Sequence, residues 1–148
     1  MDANEDTRDA LRASGWRQRS LPGFAGLIGP LWTRKEERAW AYGVLATGDH
    51  TNPSGVVHGG LLTSLLDHAL SSIAWEALER HPCVTVQIDT HFLFAAHPGQ
   101  FLEARGHVVR ATSSLVFMQG NVAVEGVQIA TACALLKVAG TPPRPEGS

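Results

Sequence analysis

The sequence predicts an α+β domain in which a five- or six-stranded antiparallel sheet packs against one long helix. Two observations lead to this fold class. Apolar residues recur every four positions over about residues 58–80, which is helical spacing with a wide apolar stripe. After Pro82, apolar and polar residues alternate, beginning with Val84, Val86 and Ile88, and the later segments are joined by short links.

The predicted elements follow one another within a single domain. Residues 1–19 are expected to form an arm or a short helix, residues 20–139 the folded domain, and residues 140–148 a disordered tail. Apolar stretches at 24–32 and 38–47 flank a charged turn, which predicts a hairpin. The strands expected after the helix are the alternating segment from Val84, then Phe101–Ala111, Leu115–Val124 and Val127–Val138.

The composition excludes several classes of protein. A net charge of −2 without a basic run argues against a nucleic-acid-binding surface. The two cysteines, Cys83 and Cys133, have no metal-binding spacing and are too few for a secreted disulfide scaffold. The acidic start lacks the apolar stretch of a signal peptide, and no run of about 18 apolar residues could span a membrane. We therefore expect a cytoplasmic protein with neither a nucleic-acid nor a membrane partner.

The side of the predicted helix away from its leucines carries small polar residues, where a solvent-facing surface would carry Lys and Glu. These residues are Thr63, Ser64, Asp67, His68, Ser71 and Ser72. Asp67 is the only carboxylate among them, and a buried carboxylate needs specific partners or has a functional role. The pattern indicates a helix buried on both sides with Asp67 at an interface or pocket, although a solvent-facing Asp67 fits the helix pattern equally well.

The segment before the helix ends in His58, Gly59 and Gly60. Glycines are poor helix formers, but without a Cβ the backbone can approach a ligand closely. The first N–H groups of a helix are unpaired and carry partial positive charge. Together these properties suit a site that polarises a carbonyl oxygen, while an ordinary loop-to-helix turn is the alternative interpretation.

The string N-P-x-G-x-x-H-G-G, followed after six residues by Asp67, resembles the signature of the phenylacetyl-CoA-type (PaaI-like) hotdog thioesterases. The strand segment 89–99 and the order of the later strands are also similar, so the resemblance covers roughly residues 20–138. It implies a hotdog fold, in which the antiparallel sheet wraps one central helix. It also implies an enzyme that hydrolyses an acyl-CoA or aryl-CoA thioester.

The resemblance also implies roles for individual residues. The Gly59 N–H would polarise the thioester carbonyl, and Asp67 would be the nucleophile or the general base. An asparagine and a histidine of the motif would position water and substrate or hold the loop, and a hydroxyl on the following strand would assist. The further expected residues are Asn52, His58 and Thr85 for catalysis and Gly60, Ser71 and His68 for substrate binding.

Two positions depart from the family pattern. Phe94 stands where relatives often have a basic residue, and residues 112–114 stand where they often have a Gly-Arg pair. Both changes affect the expected contacts with the CoA phosphates. Arg105 and Arg110 are candidate substitutes, with surface charge as the alternative role for each.

The distance between two site residues predicts a dimer. Gly59 and Asp67 are eight residues apart on one helix, or about 12 Å along its axis, whereas both must lie about 3 Å from the reacting group. Two antiparallel copies of the helix, related by a twofold axis, would bring Gly59 of one chain near Asp67 of the other. We therefore expect a homodimer with two shared sites, and a dimer of dimers.

Other catalytic centres find less support in the sequence. The seven histidines form no HExxH or similar set, and Asp67 and His68 are adjacent on the helix, so their side chains diverge. No GxSxG elbow is present, and Ser54 in Pro-Ser-Gly is typical of a turn. We expect no metal site, and no cofactor beyond the CoA of the substrate.

Two rival functions remain on the same fold. The hotdog enoyl-CoA hydratase motif has its residues in the order seen here for Asp49, Asn52, Pro53 and His58. The histidine lies too far along the chain for that motif, and Gly-Gly follows it. A non-catalytic acyl-CoA-binding regulator is the other rival, because fold does not fix function. Such a regulator would lack the helix acid or carry a DNA-binding segment, whereas this chain has Asp67 and a short acidic arm.

Overall fold

The computed structural model describes residues 3–140. Its helices and strands, in chain order, are α1 (Ala3–Ala13), β1 (Arg17–Arg19), α2 (Phe24–Ile28), β2 (Leu31–Lys35), β3 (Trp40–Leu45), α3 (Gly59–Ala77), β4 (Cys83–Phe92), β5 (Phe101–Ala111), β6 (Leu115–Val124) and β7 (Val127–Val138). A 3-10 turn at Gly48–His50 precedes α3. The predicted disordered tail, apart from Gly140, lies outside the described residues, as do the first two residues of the predicted arm.

The strands of the described residues form one antiparallel sheet in the order β1-β2-β3-β5-β6-β7-β4. The predicted α+β hotdog architecture is confirmed, but the sheet has seven strands where five or six were predicted. The additional strand, β1, has the three residues Arg-Gln-Arg, all of them exposed. Because these residues show no alternation of apolar and polar side chains, the sequence does not indicate a strand there. It pairs with β2, while β4 forms the opposite edge of the sheet.

Helix α3 lies against the sheet through its aliphatic side. The buried residues of this helix are Leu61, Leu62, Leu65, Leu66, Ala69, Leu70, Ile73 and Ala74. Two glycines on neighbouring strands make room for Leu70: a Cβ at Gly106 or Gly120 would lie 2.3 or 2.7 Å from the Leu70 Cδ2. The polar side predicted from the sequence is thereby left away from the sheet centre, and this side carries the candidate site.

Helix α3 ends earlier than the predicted residue 80. Glu79 and Arg80 have φ values of 54° and 68°, which is left-handed backbone. The Arg80 N–H bonds to the Trp75 carbonyl oxygen at 2.7 Å and closes the helix after Ala77. The apolar period extends past the true end because Leu78 still packs against the core.

The stretch at 24–32 was predicted as one arm of a hairpin, and this is wrong for its first half. Residues Phe24–Ile28 form the short helix α2, and a cis Gly29–Pro30 bond separates it from β2. A short apolar run fits a helix as well as a strand, so periodicity cannot separate the two. The hairpin itself is confirmed for β2 and β3, whose register runs from Leu31 opposite Val44 to Lys35 opposite Trp40.

A second, smaller core lies beside the main one. It contains Leu11 of α1 with Trp16, Trp32 and Ala41, and Phe101 packs against it. The ring centroids of Trp16 and Phe101 are 4.8 Å apart. This core ties the N-terminal helix to β2, β3 and β5. Within residues 3–140, no helix is long and apolar enough to cross a membrane.

Candidate active site

The structure brings three predicted residues, Asp67, Ser71 and Thr85, into one hydrogen-bonded chain. The Thr85 hydroxyl donates to Asp67 Oδ1 at 2.6 Å, and the Ser71 hydroxyl lies 3.3 Å from the Thr85 oxygen. Because the single Thr85 proton points to the carboxylate, Ser71 must be the donor to Thr85. All three side chains are half-buried. Hydrogen bonds in such a chain strengthen one another, so the carboxylate is held in a defined orientation.

Local sequence explains why these three side chains meet. Asp67 and Ser71 are four residues apart and therefore share one side of α3. Thr85 lies on β4 with its side chain toward that helix, just before a register irregularity between Thr85 and Gln87. Strand β4, which follows the helix, thus places the Thr85 hydroxyl against the Asp67 carboxylate, as the resemblance implied.

The N-terminus of α3 carries the second predicted part of the site. His58 is the N-cap, and its Nδ1 accepts the Gly60 N–H at 2.7 Å. No acceptor among residues 3–140 takes the Gly59 N–H. A Cβ at Gly60 would lie 2.8 Å from His58 Nδ1, so the cap requires glycine there. The helix therefore begins with a free N–H group at its positive end.

Asn52 holds the loop before α3. Its Oδ1 accepts the N–H groups of Ser54, at 3.0 Å, and Val56, at 3.3 Å. The main-chain N–H of Asn52 donates to the Val56 carbonyl oxygen at 2.8 Å. Of the two roles expected for Asn52, these contacts correspond to holding the loop.

His68 points away from the chain of Asp67, Thr85 and Ser71. Its ring lies edge-on to the Tyr42 ring of β3, with centroids 5.6 Å apart. Burial lowers the pKa of His68, and the nearby Asp67 charge partly offsets this shift. Burial likewise raises the pKa of the Tyr42 hydroxyl, although its hydrogen bond with Ser72 acts the other way. His68 therefore belongs to a separate, partly buried group on the β3 side of the helix.

Within one chain, the two halves of the predicted site lie at opposite ends of β4. Asp67 contacts Thr85 near the start of the strand. Gly59 lies beside Phe92 at its end, where a Cβ on the glycine would be 3.0 Å from the Phe92 ring. Phe92 was not among the predicted site residues, although it belongs to the family-like strand segment. The free N–H and the carboxylate are thus separated along α3, as the sequence spacing predicted.

Charged groups elsewhere complete the electrostatic setting. Arg105 binds Glu36 with two hydrogen bonds of 2.7 and 2.8 Å and also reaches Glu103 at 3.2 Å. The Arg105 hydrogen bond, with help from Arg34, lowers the pKa of Glu36 to about 2 against the effect of burial. Arg105 is therefore an ion-pair partner and not a free cation for a phosphate. In the part of the chain that the structure describes, no three His, Cys, Asp or Glu side chains are placed to hold a metal ion.

Known proteins resemble this chain in sequence and in structure. A family profile of the thioesterase superfamily matches residues 54–130. A Pseudomonas aeruginosa protein, provisionally named an esterase, is 31% identical over 101 residues, which are 67% of this chain and 75% of that protein. A Ralstonia eutropha JMP134 structure, named provisionally as a thioesterase and as phenylacetic acid degradation-related, is 25% identical with a TM-score of 0.72, covering 88% of this chain and 98% of its own.

A further solved structure, from Streptococcus mutans UA159 and described as bound to acetyl CoA, shares the fold with a TM-score of 0.66. It is 19% identical and covers 73% of this chain and 87% of its own. The profile match spans more than half of the chain, and the Ralstonia structure aligns over nearly its whole length. The expected PaaI-like hotdog family and the expected acyl-CoA thioesterase class are confirmed. The chain therefore belongs to the thioesterase superfamily.

Proposed function

We propose that the protein hydrolyses an acyl-CoA or aryl-CoA thioester at a site formed by Asp67 and the Gly59 N–H. One observation carries this proposal: the half-buried Asp67 carboxylate, on an otherwise small and polar side of α3, accepts a 2.6 Å hydrogen bond from Thr85. A carboxylate oriented in this way, with its other oxygen available, suits a nucleophile or a general base. The acetyl-CoA-bound Streptococcus neighbour supports a CoA thioester as the substrate class.

Two routes complete the hydrolysis. As a base, Asp67 takes a proton from water, the resulting hydroxide adds to the carbonyl carbon, and C–S cleavage releases a CoA thiolate that regains the proton. As a nucleophile, the Asp67 carboxylate displaces the CoA thiolate and forms an anhydride, which water then hydrolyses. In both routes, negative charge develops on the carbonyl oxygen. The Gly59 N–H, at the positive end of the α3 dipole, stabilises that charge.

The edge position of β4 supports a site shared between two copies. Among the described residues, β4 pairs with β7 on one side and with no strand on the other. An open strand edge invites pairing with another chain. Val84 and Val86 on this strand are 58% and 59% exposed, so a partner would also cover apolar surface. We infer that β4 pairs antiparallel with the same strand of a second copy.

The contacts of β4 with α3 give the expected register of this pairing. Thr85 marks the position of Asp67 along the helix, and Phe92 marks the position of Gly59. A twofold axis near Ile88, midway between them, would set Thr85 opposite the partner's Phe92. Asp67 would then face the partner's Gly59, which removes the roughly 12 Å separation within one chain. Light scattering at micromolar concentration should give a dimer or a dimer of dimers, and an active monomer would refute the shared site.

Catalysis is tested by replacing Asp67 with asparagine, which keeps the size of the side chain but removes its negative charge. Turnover should fall by at least about 10²-fold while acyl-CoA still binds. The matched control is Asp9→Asn, an exposed carboxylate of α1 that accepts a hydrogen bond from Arg12, and this change should leave turnover unchanged. Turnover is followed as free thiol released from aryl-, short-chain and long-chain acyl-CoA thioesters.

The same assay separates the rival functions. A regulator would bind acyl-CoA and release no thiol even as the wild-type protein. A hydratase would consume an enoyl-CoA, seen as lost enoyl absorbance, with the thioester intact. An Asp67→Asn variant as fast as wild type on every hydrolysed substrate would remove Asp67 from the mechanism.

A further inference from the structure

His50 is a buried residue that the sequence analysis did not select. Apart from tyrosine and tryptophan, it is the only buried residue with a polar or charged side chain among residues 3–140, and it is 8% exposed. Its Nδ1 accepts the Thr47 N–H at 3.0 Å, and its Nε2 lies 2.7 Å from the Ile28 carbonyl oxygen. Because a carbonyl can only accept, Nε2 carries the proton and Nδ1 does not. Both ring nitrogens are therefore satisfied by main-chain groups of two different segments.

The backbone of His50 reaches the start of the catalytic helix. Its carbonyl oxygen accepts the His58 N–H at 2.8 Å. The next N–H along the chain is that of Gly59, which has no acceptor among the described residues. The end of this loop next to α3 is also held by the Val57 N–H, which donates to the Ala96 carbonyl oxygen at 2.8 Å. His50 thus fixes the peptide immediately before the free N–H group.

The imidazole joins this loop to a distant element. Ile28 is the last residue of α2 and lies 22 positions before His50 in the chain. The His50 side chain therefore binds the loop to α2, and the His50 carbonyl oxygen, which accepts the His58 N–H, connects the same loop to the N-cap of α3. An oxyanion donor acts only if it is held in the correct direction before reaction, because a small misplacement weakens it mainly in the transition state.

We propose that His50 is a positioning residue for thioester hydrolysis, which holds the Gly59 N–H in its catalytic direction by binding Ile28 and Thr47. The inference rests on the proposed role of Gly59. His50 touches no substrate: it is buried, and both of its ring nitrogens are bonded within the protein. Its removal should therefore lower kcat and leave KM nearly unchanged.

Three substitutions separate the two ring contacts. His50→Leu fills a similar volume and makes neither hydrogen bond. His50→Asn places an acceptor near the position of Nδ1 and keeps the Thr47 contact, whereas His50→Gln places a donor near Nε2 and keeps the Ile28 contact. The leucine variant should lose about tenfold or more in kcat, which is part of the roughly 10²–10³-fold effect of deleting an oxyanion donor. Each amide variant should recover part of that loss.

The control for simple destabilisation is Leu11→Ala, which creates a cavity in the second core, away from this loop. It should lower the unfolding temperature but leave kcat unchanged. A second readout is the amide resonance of Gly59 in a nitrogen–proton correlation spectrum. This resonance should shift in the His50 variants and stay in place in Leu11→Ala.

Three results would overturn the positioning role of His50. A folded His50→Leu variant with wild-type kcat, or a Gly59 resonance that none of the His50 variants moves, would overturn the positioning role. Equal losses of kcat in His50→Leu and Leu11→Ala would also overturn it. If the leucine variant does not fold, His50→Gln and His50→Asn give the same comparison. Asp67→Asn, measured alongside, distinguishes this failure from a failure of the proposed function, which alone predicts that Asp67→Asn is inactive.

Discussion

Replacing Thr85 with valine removes one hydroxyl from the proposed site and changes little else. Valine keeps the β-branched shape of threonine, so the packing of β4 against α3 is retained. What is lost is the 2.6 Å hydrogen bond to Asp67, and with it the acceptor that binds the Ser71 hydroxyl. The carboxylate is then free to rotate away from the reacting carbonyl.

The size of the effect follows from the type of bond. A hydrogen bond to a charged group contributes about 1.5–3 kcal/mol, and about 1.4 kcal/mol corresponds to a factor of ten in rate. Thr85→Val should therefore lower kcat by about ten- to hundredfold. Ser71→Ala removes only the neutral bond at the far end of the chain, worth about 0.5–1.5 kcal/mol, and should cost about two- to tenfold.

The assay is thiol release under saturating acyl-CoA, with Thr85→Ser as the control. Serine keeps the hydroxyl and should retain most of the activity, because the donor to Asp67 remains. A Thr85→Val variant within twofold of wild type would show that this bond does not orient the catalytic group. Equal losses for Thr85→Val and Thr85→Ser would show that the methyl group matters as much as the hydroxyl, which would contradict an effect of the hydrogen bond alone.

Two further predictions concern stability. The pKa of Glu36 is lowered to about 2 in the folded chain, so its stabilising effect is present above the ordinary value of 4.5 and is lost as pH falls from 4.5 towards 2. Urea denaturation between about pH 6 and pH 3 should show a smaller loss of stability for Glu36→Gln than for wild type, and equal losses would contradict the ion-pair account. Gly60→Ala would place a Cβ 2.8 Å from His58 Nδ1 and disrupt the N-cap, which should cost about 1 kcal/mol of unfolding free energy. Thr63→Ala, one turn along α3 and without a side-chain hydrogen bond among the described residues, is its control, and an equal effect of the two changes would exclude the cap as the cause.

Much of the fold could be predicted because its signals are local. The bounds of β5, β6 and β7 agree with the predicted strands, since alternation and turn residues both mark their ends. The long apolar period predicted α3. It could not predict the residue at which the helix ends, because the left-handed residues Glu79 and Arg80 do not interrupt the apolar pattern. β1 was missed for the related reason that three polar residues carry no period at all.

The candidate site was predictable where the motif fixes a residue's neighbours along the chain. Gly59 and Thr85 lie where the resemblance implied, beside the helix start and beside Asp67. His50 was not selected because its partner Ile28 is 22 residues away, and nothing in the sequence indicates that contact. The resemblance placed His68 among the expected substrate-binding residues, and the sequence could not indicate that its ring packs against Tyr42, a residue of β3.

A mixed dimer tests the shared site most directly. One protomer carries Asp67→Asn and the other Gly59→Val, whose Cβ would lie 3.0 Å from the Phe92 ring and whose branches crowd the free N–H. Each variant dimer alone lacks one half of both sites. The mixed dimer combines an intact Gly59 from one protomer with an intact Asp67 from its partner in one of its two sites.

Two affinity tags isolate the mixed dimer, and its thiol release is compared with that of both parent variants. The shared site predicts inactive parents and a mixed dimer with about half of the wild-type turnover, because one site of two is complete. A site formed within each chain predicts that no complete site exists in any of the three. A mixed dimer that folds like wild type and is as inactive as its parents would contradict catalysis by Asp67 and Gly59 across the interface.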